Sequence, residues 1–427
     1  MTRRLLTGNG AAAWGARLAK VDYVPAFPIT PQTEIIETLS GWFDNGEMPG
    51  RMTTLESEHS MITAAGAAAI TGVRVFTATS SQGLLYGMEM LYNIAGWRAP
   101  LVMINVSRGL SAPITLEPDH NDILAARDSG CLQIHCATCQ EVLDSTLIAY
   151  RLAEHEKVRL PVIVNLDGFY LSFTREPVEI PEAKLAAQYV GDFDPETNRF
   201  LASSPTSQAV AVLGGSPYSY FRYELHLAAQ EALDVYDEVA AEFTEQFGRD
   251  YAAIETYRND DADFSFVMMG CFATKAREAV DRLRDAGWRI GLVRPRLLRP
   301  FPEQAIRNAL ANKEAIAVVD QNISMGKGGV LHTEVASALY GLKDAPLLVS
   351  FMGGLGGRDI SQEELFEMAN VLKSAVAKGE APLPRLLYTT NELREMRKLQ
   401  AIAHVERAEL DSGEEQNKAQ GIGESHD

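Results

Sequence analysis

The amino-acid sequence predicts an α/β protein built on two parallel sheets. Three observations carry that expectation. Runs such as PLVMINVS (100–107) and LPVIVNLDG (160–168) are apolar throughout, as strands covered on both faces are. Helical patterns separate these runs in regular alternation. The alternation occurs twice, over roughly the first 165 residues and again from about 262.

In order, VDYVPAF (21–27) reads as a strand. PQTEIIETLSGWF (31–43) reads as a helix opening on Pro31, where a missing N–H costs nothing. RMTTLES (51–57) is a strand, HSMITAAGAAAIT (59–71) a helix and VRVFTAT (73–79) a strand. QGLLYGMEMLYNIAGW (82–97) is a helix before the strand PLVMINVS. CLQIHC (131–136), the helix QEVLDSTLIAYRLAEHE (140–156) and LPVIVNLDG close the first series. Residues 168–200 read as irregular, and a long helical stretch lies around 219–257. The second series runs DFSFVMMG (263–270), helix TKAREAVDRLRDAGW (274–288), RIGLVRPRL (289–297), helix PEQAIRNALAN (302–312), EAIAVVDQ (314–321) and LLVSFMGGL (347–355). The expected organisation is a domain at 1–230, a helical linker at 231–261, a second domain at 262–390, and a C-terminal helix with an acidic, disordered tail at 391–427. No internal repeat of 20–50 residues is present.

The chain has 427 residues, 46% hydrophobic and 22% charged, which is ordinary for a soluble globular protein. A formal net charge of −18 disfavours nucleic acid and anionic membrane surfaces as partners. No apolar stretch approaches the roughly 20 residues of a membrane span, and no signal peptide is visible. Four cysteines do not make a disulfide framework, and a cytoplasmic location is expected.

Candidate sites begin with Glu58, a lone acid at the head of the small-residue helix ESEHSMITAAGAAAITG. About thirty residues earlier, Pro28 and Pro31 flank Ile29 and Thr30 in a stiff FPITP turn. Rigid backbone beside a buried carboxylate suits a cofactor pocket. Arg108 ends an apolar strand and opens the loop GLSAPITLEPDHND, where open α/β sheets bind ligands. Its forked donors suit a carboxylate, although an exposed ion pair would also explain it. Asp119 and His120 lie in the same loop. Gly8-x-Gly10-x-x-Ala13 lacks both a preceding apolar strand and a later acid, so it reads as tight helix packing rather than a dinucleotide site. Cys131, Cys136 and Cys139, with Cys271 downstream, match the opening spacing of a [2Fe–2S] loop, but they fall on apolar sequence and read as buried thiols. MGGLGGRDIS (352–361) could cradle a phosphate or simply turn tightly.

Together, FPITPQTEIIE, LESEHSMITAAGAAAITGVRVFTATSSQGL, SRGLSAPI, AYRLAEHEKVRLPVIVNLDGF, FGRDYAAIETYRNDDADFSFVMMG, RLLRPFP, VVDQNISMGKGGVL and GGLGGRDI resemble, in order, the α subunit of the 2-oxoacid:ferredoxin oxidoreductases. That resemblance implies a thiamine-diphosphate pyrimidine-binding domain at 1–230 and a transketolase-C-terminal-like domain at 262–390. It makes Glu58 the carboxylate on N1′ of the aminopyrimidine, with Pro28 and Ile29 beside the cofactor. Thr30 is the substrate-contacting threonine and Arg108 the group that holds the substrate carboxylate.

The family's diphosphate and Mg²⁺ segment and its iron–sulfur CxxCxxC motifs are absent from the sequence. The resemblance therefore implies a β subunit carrying the Mg²⁺-diphosphate half-site. It also implies γ and ferredoxin-like subunits with iron–sulfur clusters, a possible further electron-acceptor subunit, and coenzyme A as co-substrate. Glu117 and His120 stand where pyruvate-type α subunits of separate-subunit enzymes carry bulky apolar residues, which opens branched-chain or aryl substrates such as phenylglyoxylate. (The DH-x-D pattern does recur in single-chain pyruvate enzymes.) Thr30 argues against oxalate-type members. The alternatives are a non-redox thiamine enzyme of transketolase or decarboxylase type, or a non-catalytic assembly subunit.

Overall fold

A computed structural model of the chain describes residues 2–193 and 199–421. Its first part runs β1 (Thr2–Leu6), α1 (Gly8–Leu18), β2 (Tyr23–Ala26), α2 (Thr33–Asp44), β3 (Arg51–Thr54), α3 (Glu58–Ala69), β4 (Phe76–Thr79), α4 (Gln82–Tyr86), α5 (Met88–Gly96) and β5 (Val102–Ser107). Then come α6 (Asn121–Ala125), β6 (Leu132–His135), α7 (Cys139–Ala153), β7 (Val162–Asp167), β8 (Glu176–Ile180), α8 (Ala183–Val190) and the long α9 (Gly215–Phe247). The remainder is β9 (Ile254–Tyr257), β10 (Phe264–Met268), α10 (Phe272–Asp285), β11 (Ile290–Pro295), β12 (Leu297–Arg299), α11 (Glu303–Leu310), β13 (Ala315–Asp320), α12 (Val330–Leu339), β14 (Leu347–Met352), α13 (Gln362–Lys378), β15 (Arg385–Leu386) and α14 (Thr390–Gly421).

Two large sheets form, in the orders β12-β6-β7-β5-β4 and β15-β14-β13-β10-β11-β9. Pairing is parallel from β4 through β5 and β7 to β6, and from β11 through β10 and β13 to β14. Every residue of β5, β7, β11 and β13 is buried, which is why these strands read as unbroken apolar runs. The α/β architecture with parallel-dominated sheets is the one the sequence predicts. Residues Met1–Arg385 form one compact unit. The unit Leu386–Asp427 consists mainly of α14, whose good helix formers carry it to Gly421, into the segment expected to be a tail. Residues 422–427 of that expected tail lie outside the described residues.

Several elements depart from the sequence reading. Strand β1 does precede the Gly8-x-Gly10 helix, but it pairs antiparallel with β8 and is no βαβ strand. Its charged, mostly exposed sequence hides it from a hydrophobic pattern. β8 and α8 occupy the stretch expected to be irregular. β9 lies within the expected linker and pairs antiparallel with β11. α12 and α13 went unread, although α13 carries a legible capping box, Ser361 with Glu364.

One crossing ties the two sheets together. β11 belongs to the second sheet, while β12, one residue later, pairs antiparallel with β6 at the edge of the first. Arg294 and Arg296 flank Pro295 at that crossing, and both are buried. Arg294 Nη1 and Arg296 Nη2 each lie 3.1 Å from the carboxylate of Glu141 on α7. Arg294 also binds Glu255 of β9, which in turn pairs with Arg277. Burial alone would raise the pKa of Glu141, but the two guanidinium groups outweigh it and hold the group at about 2, below its ordinary 4.5. A depressed carboxylate stabilises the fold above its unfolded-state pKa, and that contribution is lost as pH falls through the folded value. The wild-type chain should therefore lose stability between about pH 4.5 and about pH 2 through this group. Glu141→Gln should flatten that part of an acid-unfolding curve. Glu141→Ala should cost about 3–5 kcal/mol at neutral pH, read from denaturant midpoints, because it leaves the two buried cations with Glu255 as their one shared carboxylate.

Candidate functional site

The site gathers at the carboxyl ends of β4 and β5. Glu58 is the first residue of α3, whose start is capped by Ser57 accepting from the Ser60 amide. An acid in a first helical turn is favoured by the helix dipole. Its residue exposure is 9%. Small residues make this possible. A Cβ added at Gly66 would lie 2.3 Å from Ile94 Cγ1, and one at Gly87 the same distance from Ile62 Cδ1, so α3 packs tightly under α4 and α5. Gly83 is the closest constraint on the acid. A Cβ there would sit 2.7 Å from Glu58 Cγ and 2.8 Å from its Oε1. Beside it, Thr79 Oγ1 and Ser80 Oγ are buried without a protein partner.

Arg108 follows β5 directly and is 7% exposed. Its Nη1 donates to the carbonyl of Thr30 at 2.7 Å and its Nη2 to Gln82 Oε1 at 2.6 Å. The Nε is buried and unpartnered. Burial pulls the guanidinium pKa below its ordinary value, while the charges of Asp122 and Glu58 raise it. Arg108 therefore reaches Thr30, and the charge of Glu58 acts on it. Arg108 touches Thr30 and shares its electrostatic environment with Glu58. Pro28 and Thr30 are exposed and Ile29 is half-buried, so the turn presents its tip outward. The turn is pinned from beneath by Asn9 Nδ2 donating to Pro31 O at 2.8 Å and by Gln32 Nε2 donating to Phe27 O at 2.8 Å.

Asp122 is a residue the sequence reading missed. It is fully buried on α6. Its Oδ2 accepts from Ser81 N (3.0 Å), Asn105 Nδ2 (3.1 Å) and Arg108 N (3.2 Å). Its Oδ1 accepts from Ile123 N (2.7 Å) and lies 2.9 Å from Ser107 Oγ. Burial pushes this carboxyl above its ordinary pKa, and the donors hold part of the rise back. The recurring DH-x-D pattern was the signal that could have found it.

His120 stands apart from this group. It is 2% exposed, and its Nε2 lies 2.7 Å from Asp167 Oδ1 at the end of β7. Burial lowers the imidazole pKa, but the charge of Asp167 and the hydrogen bond to it outweigh that, and the net shift is upward. Asp167 also accepts from Cys271 N, and His120 N donates to Gln321 O, so the pair sits where loops of both sheets meet. The histidine that the sequence places in the substrate loop is thus buried against Asp167. A loop sequence cannot announce the distant Asp167.

The glycine-rich turn after β14 grips the Arg108 loop. Gly357 N donates to Pro118 O at 2.7 Å and Gly356 N to Asp119 Oδ2 at 3.3 Å. Gly357 has φ of 77°, and a Cβ there would lie 2.5 Å from Glu117 Cβ. Both amides are thus committed to acceptors on the Arg108 loop. Between the two loops lies a cavity of about 640 Å³. Cys131, Cys136 and Cys139 are buried. Burial pushes the Cys131 thiol up to about 12 and raises the other two. Thiolate ligation is disfavoured there, in keeping with buried thiols. Among the described residues, no group of three or more His, Cys, Asp or Glu could hold a metal ion, and no helix is long and apolar enough to cross a membrane.

Comparison with known proteins adds the following. Residues 14–244 match the thiamine-diphosphate-binding family model of pyruvate flavodoxin/ferredoxin oxidoreductases. Residues 262–365 match pyruvate:ferredoxin oxidoreductase core domain II. Pyruvate synthase subunit PorA of Pyrococcus abyssi is 40% identical over 382 residues, covering 90% of this chain and 96% of that protein. Ketoisovalerate oxidoreductase subunit VorA of Pyrococcus horikoshii is 39% identical over 379 residues, covering 88% and 95%. The solved 2-oxoglutarate:ferredoxin oxidoreductase of Magnetococcus marinus shares the fold, with a TM-score of 0.67 and 20% identity over 88% of this chain. This chain spans 65% of that longer one.

Gly83→Ala tests the packing around the acid. The added methyl must displace Glu58 or Thr79, at an expected cost of about 1–3 kcal/mol, visible as a lower Tm.

Proposed function

The chain belongs to the α-subunit family of the 2-oxoacid:ferredoxin oxidoreductases, and from that premise we propose that it supplies one half of a thiamine-diphosphate site. The reaction is the coenzyme A-dependent oxidative decarboxylation of a 2-oxoacid to an acyl-CoA and CO₂, with two electrons passed to iron–sulfur clusters on partner subunits. One observation carries the reading: a guanidinium bound to the Thr30 carbonyl shares its surroundings with the buried Glu58 carboxylate. The residues present fit the cofactor. Glu58 is an acceptor whose position Gly83 fixes, and Thr79 Oγ1, Ser80 Oγ and Arg108 Nε are buried polar atoms without protein partners.

When bound, thiamine diphosphate supplies a nucleophilic carbon and an electron sink for decarboxylation. Glu58 holds a proton at N1′ of the aminopyrimidine and so selects the tautomer able to act as base. Pro28 and Ile29 form the rigid backbone beside that ring. Arg108 commits one N–H of each Nη to the protein, so each Nη keeps a second N–H for the substrate carboxylate. Thr30 faces the substrate at the tip of its turn. Residues 1–230 carry these groups, and 262–390 serve mainly in assembly. The β subunit brings Mg²⁺ and the diphosphate half-site, and γ and ferredoxin-like subunits bring the clusters.

Relatives named for pyruvate and for ketoisovalerate differ by one percentage point in identity, so whole-chain identity does not rank these substrates. We place this chain's departure from the pyruvate type in the segment TLEPDHND (115–122). Its Glu117 is wedged against Gly357. We assign the substrate to the monocarboxylic 2-oxoacids: pyruvate, a branched-chain acid, or an aryl acid such as phenylglyoxylate.

In the assembled complex, Glu58→Gln should lower kcat by about 10²- to 10⁴-fold while assembly survives. Near-normal turnover would remove Glu58 from the cofactor. Arg108→Ala should lower kcat/KM for the 2-oxoacid by about 10- to 100-fold, the loss of a charge-assisted hydrogen bond. An unchanged kcat/KM would remove Arg108 from the site.

A further inference from the structure

We propose that Asp122 is a positioning residue that locks the substrate arginine and the turn packed against the cofactor acid into one unit. The inference rests on the roles given above to Arg108 and Glu58, and it adds how their spacing is set. Asp122 Oδ2 accepts from two backbone amides, those of Ser81 and Arg108. These amides follow β4 and β5, the two neighbouring strands whose carboxyl ends frame the site. The side-chain ends of the same two segments also meet, because Arg108 Nη2 donates to Gln82 Oε1 at 2.6 Å. Ser81 Oγ lies 2.7 Å from the same Gln82 oxygen and 2.9 Å from Gly109 O. The hydrogen bonds thus close a circuit from Asp122 through Ser81 and Gln82 to the guanidinium, and back through the Arg108 amide to Asp122.

The backbone at Ser81 shows that this circuit is under constraint. Ser81 has φ of 49° and ψ of −120°, a region that favours glycine and costs a serine on the order of 1–3 kcal/mol. Such a conformation persists only where its surroundings over-determine it, and here Asp122 holds its N–H. The strained residue sits two positions before Gly83, whose bare Cα faces Glu58. A shift at Asp122 therefore moves both chemical groups, although Asp122 touches neither substrate nor cofactor.

The carboxylate is suited to this role because it is acceptor-only. It is ringed by four N–H groups and the Ser107 hydroxyl. Asn105 and Ser107, two of its partners, also contact Asn165 Oδ1 on β7, at 2.8 and 2.9 Å. The anchor therefore extends across β5 to the next strand. Asp122→Asn keeps the shape but turns an NH₂ toward N–H donors, whichever way the amide is placed.

The test is made on the assembled complex, with KM and kcat for the 2-oxoacid and Tm measured for Asp122→Asn, Arg108→Ala and the double variant. Asp122→Asn should raise the 2-oxoacid KM and lower kcat/KM by about 10- to 100-fold, the scale of a small misplacement at a reacting centre. Because Asp122 acts on substrate binding through Arg108, the rise in KM should vanish on the Arg108→Ala background, a non-additivity that a general loss of stability would not produce. A lower Tm with unchanged kinetics would overturn the proposal, as would KM effects that multiply independently. If Asp122→Asn does not assemble, Ser107→Ala takes its place. It removes one partner and leaves the charge. Its smaller KM rise should show the same loss on the Arg108→Ala background, and an independent effect would overturn the proposal. If Arg108→Ala alone leaves KM unchanged, the functional reading of the arginine fails. If Arg108→Ala raises KM and Asp122→Asn does not, only the positioning role fails.

Discussion

The contact on which the rest depends is the grip of Arg294 and Arg296 on Glu141. A chain that leaves one sheet at Pro295 and enters another at Leu297 must bury backbone and charge where the sheets abut. Two guanidinium groups there would be costly without a shared carboxylate. With it, the sheets are held as one body, and three further contacts become possible across the seam: Asp167 with Cys271, His120 with Gln321, and Asp119 with Gly356. All three bear on the loop that begins at Arg108 or on the residues that flank it. The second sheet therefore shapes a site whose polar groups belong to the first.

This division explains a feature of the chemistry. Glu58 lies in a pocket made by local packing of small residues, so its position is a property of α3 and its neighbours. Arg108 lies at the start of a long loop, and its position is a property of contacts made far away in sequence. The pocket around Glu58 is thus set by local packing, while the loop after Arg108 is also held by the glycine turn of the second sheet.

The sequence made the first half legible and much of the second illegible. Glu58 was visible because a lone acid ahead of Ala and Gly at helical spacing has few uses on a surface. FPITP was visible because proline restricts backbone locally. Arg108 was visible because it ends an unbroken apolar strand. Gly83 and Asp122 were not, since their meaning lies in partners 25 and 41 positions away, Glu58 and Ser81. His120 misled because its partner, Asp167, closes a different strand. The same limit hid β1, whose arginines disguise a strand that exists only through its pairing with β8. α13, by contrast, carried its own cap and could have been read.

The place of β12 has a consequence for how the chain is made. The first sheet needs its edge strand from Leu297–Arg299, so it cannot be completed while only the residues that supply its other four strands have left the ribosome. Until then β6 presents an open edge of unpaired N–H and C=O groups, and Glu141 lies without its cations. An open edge is a template for pairing with other chains. A fragment ending at residue 244, where the match to the first family model stops, would keep that edge permanently.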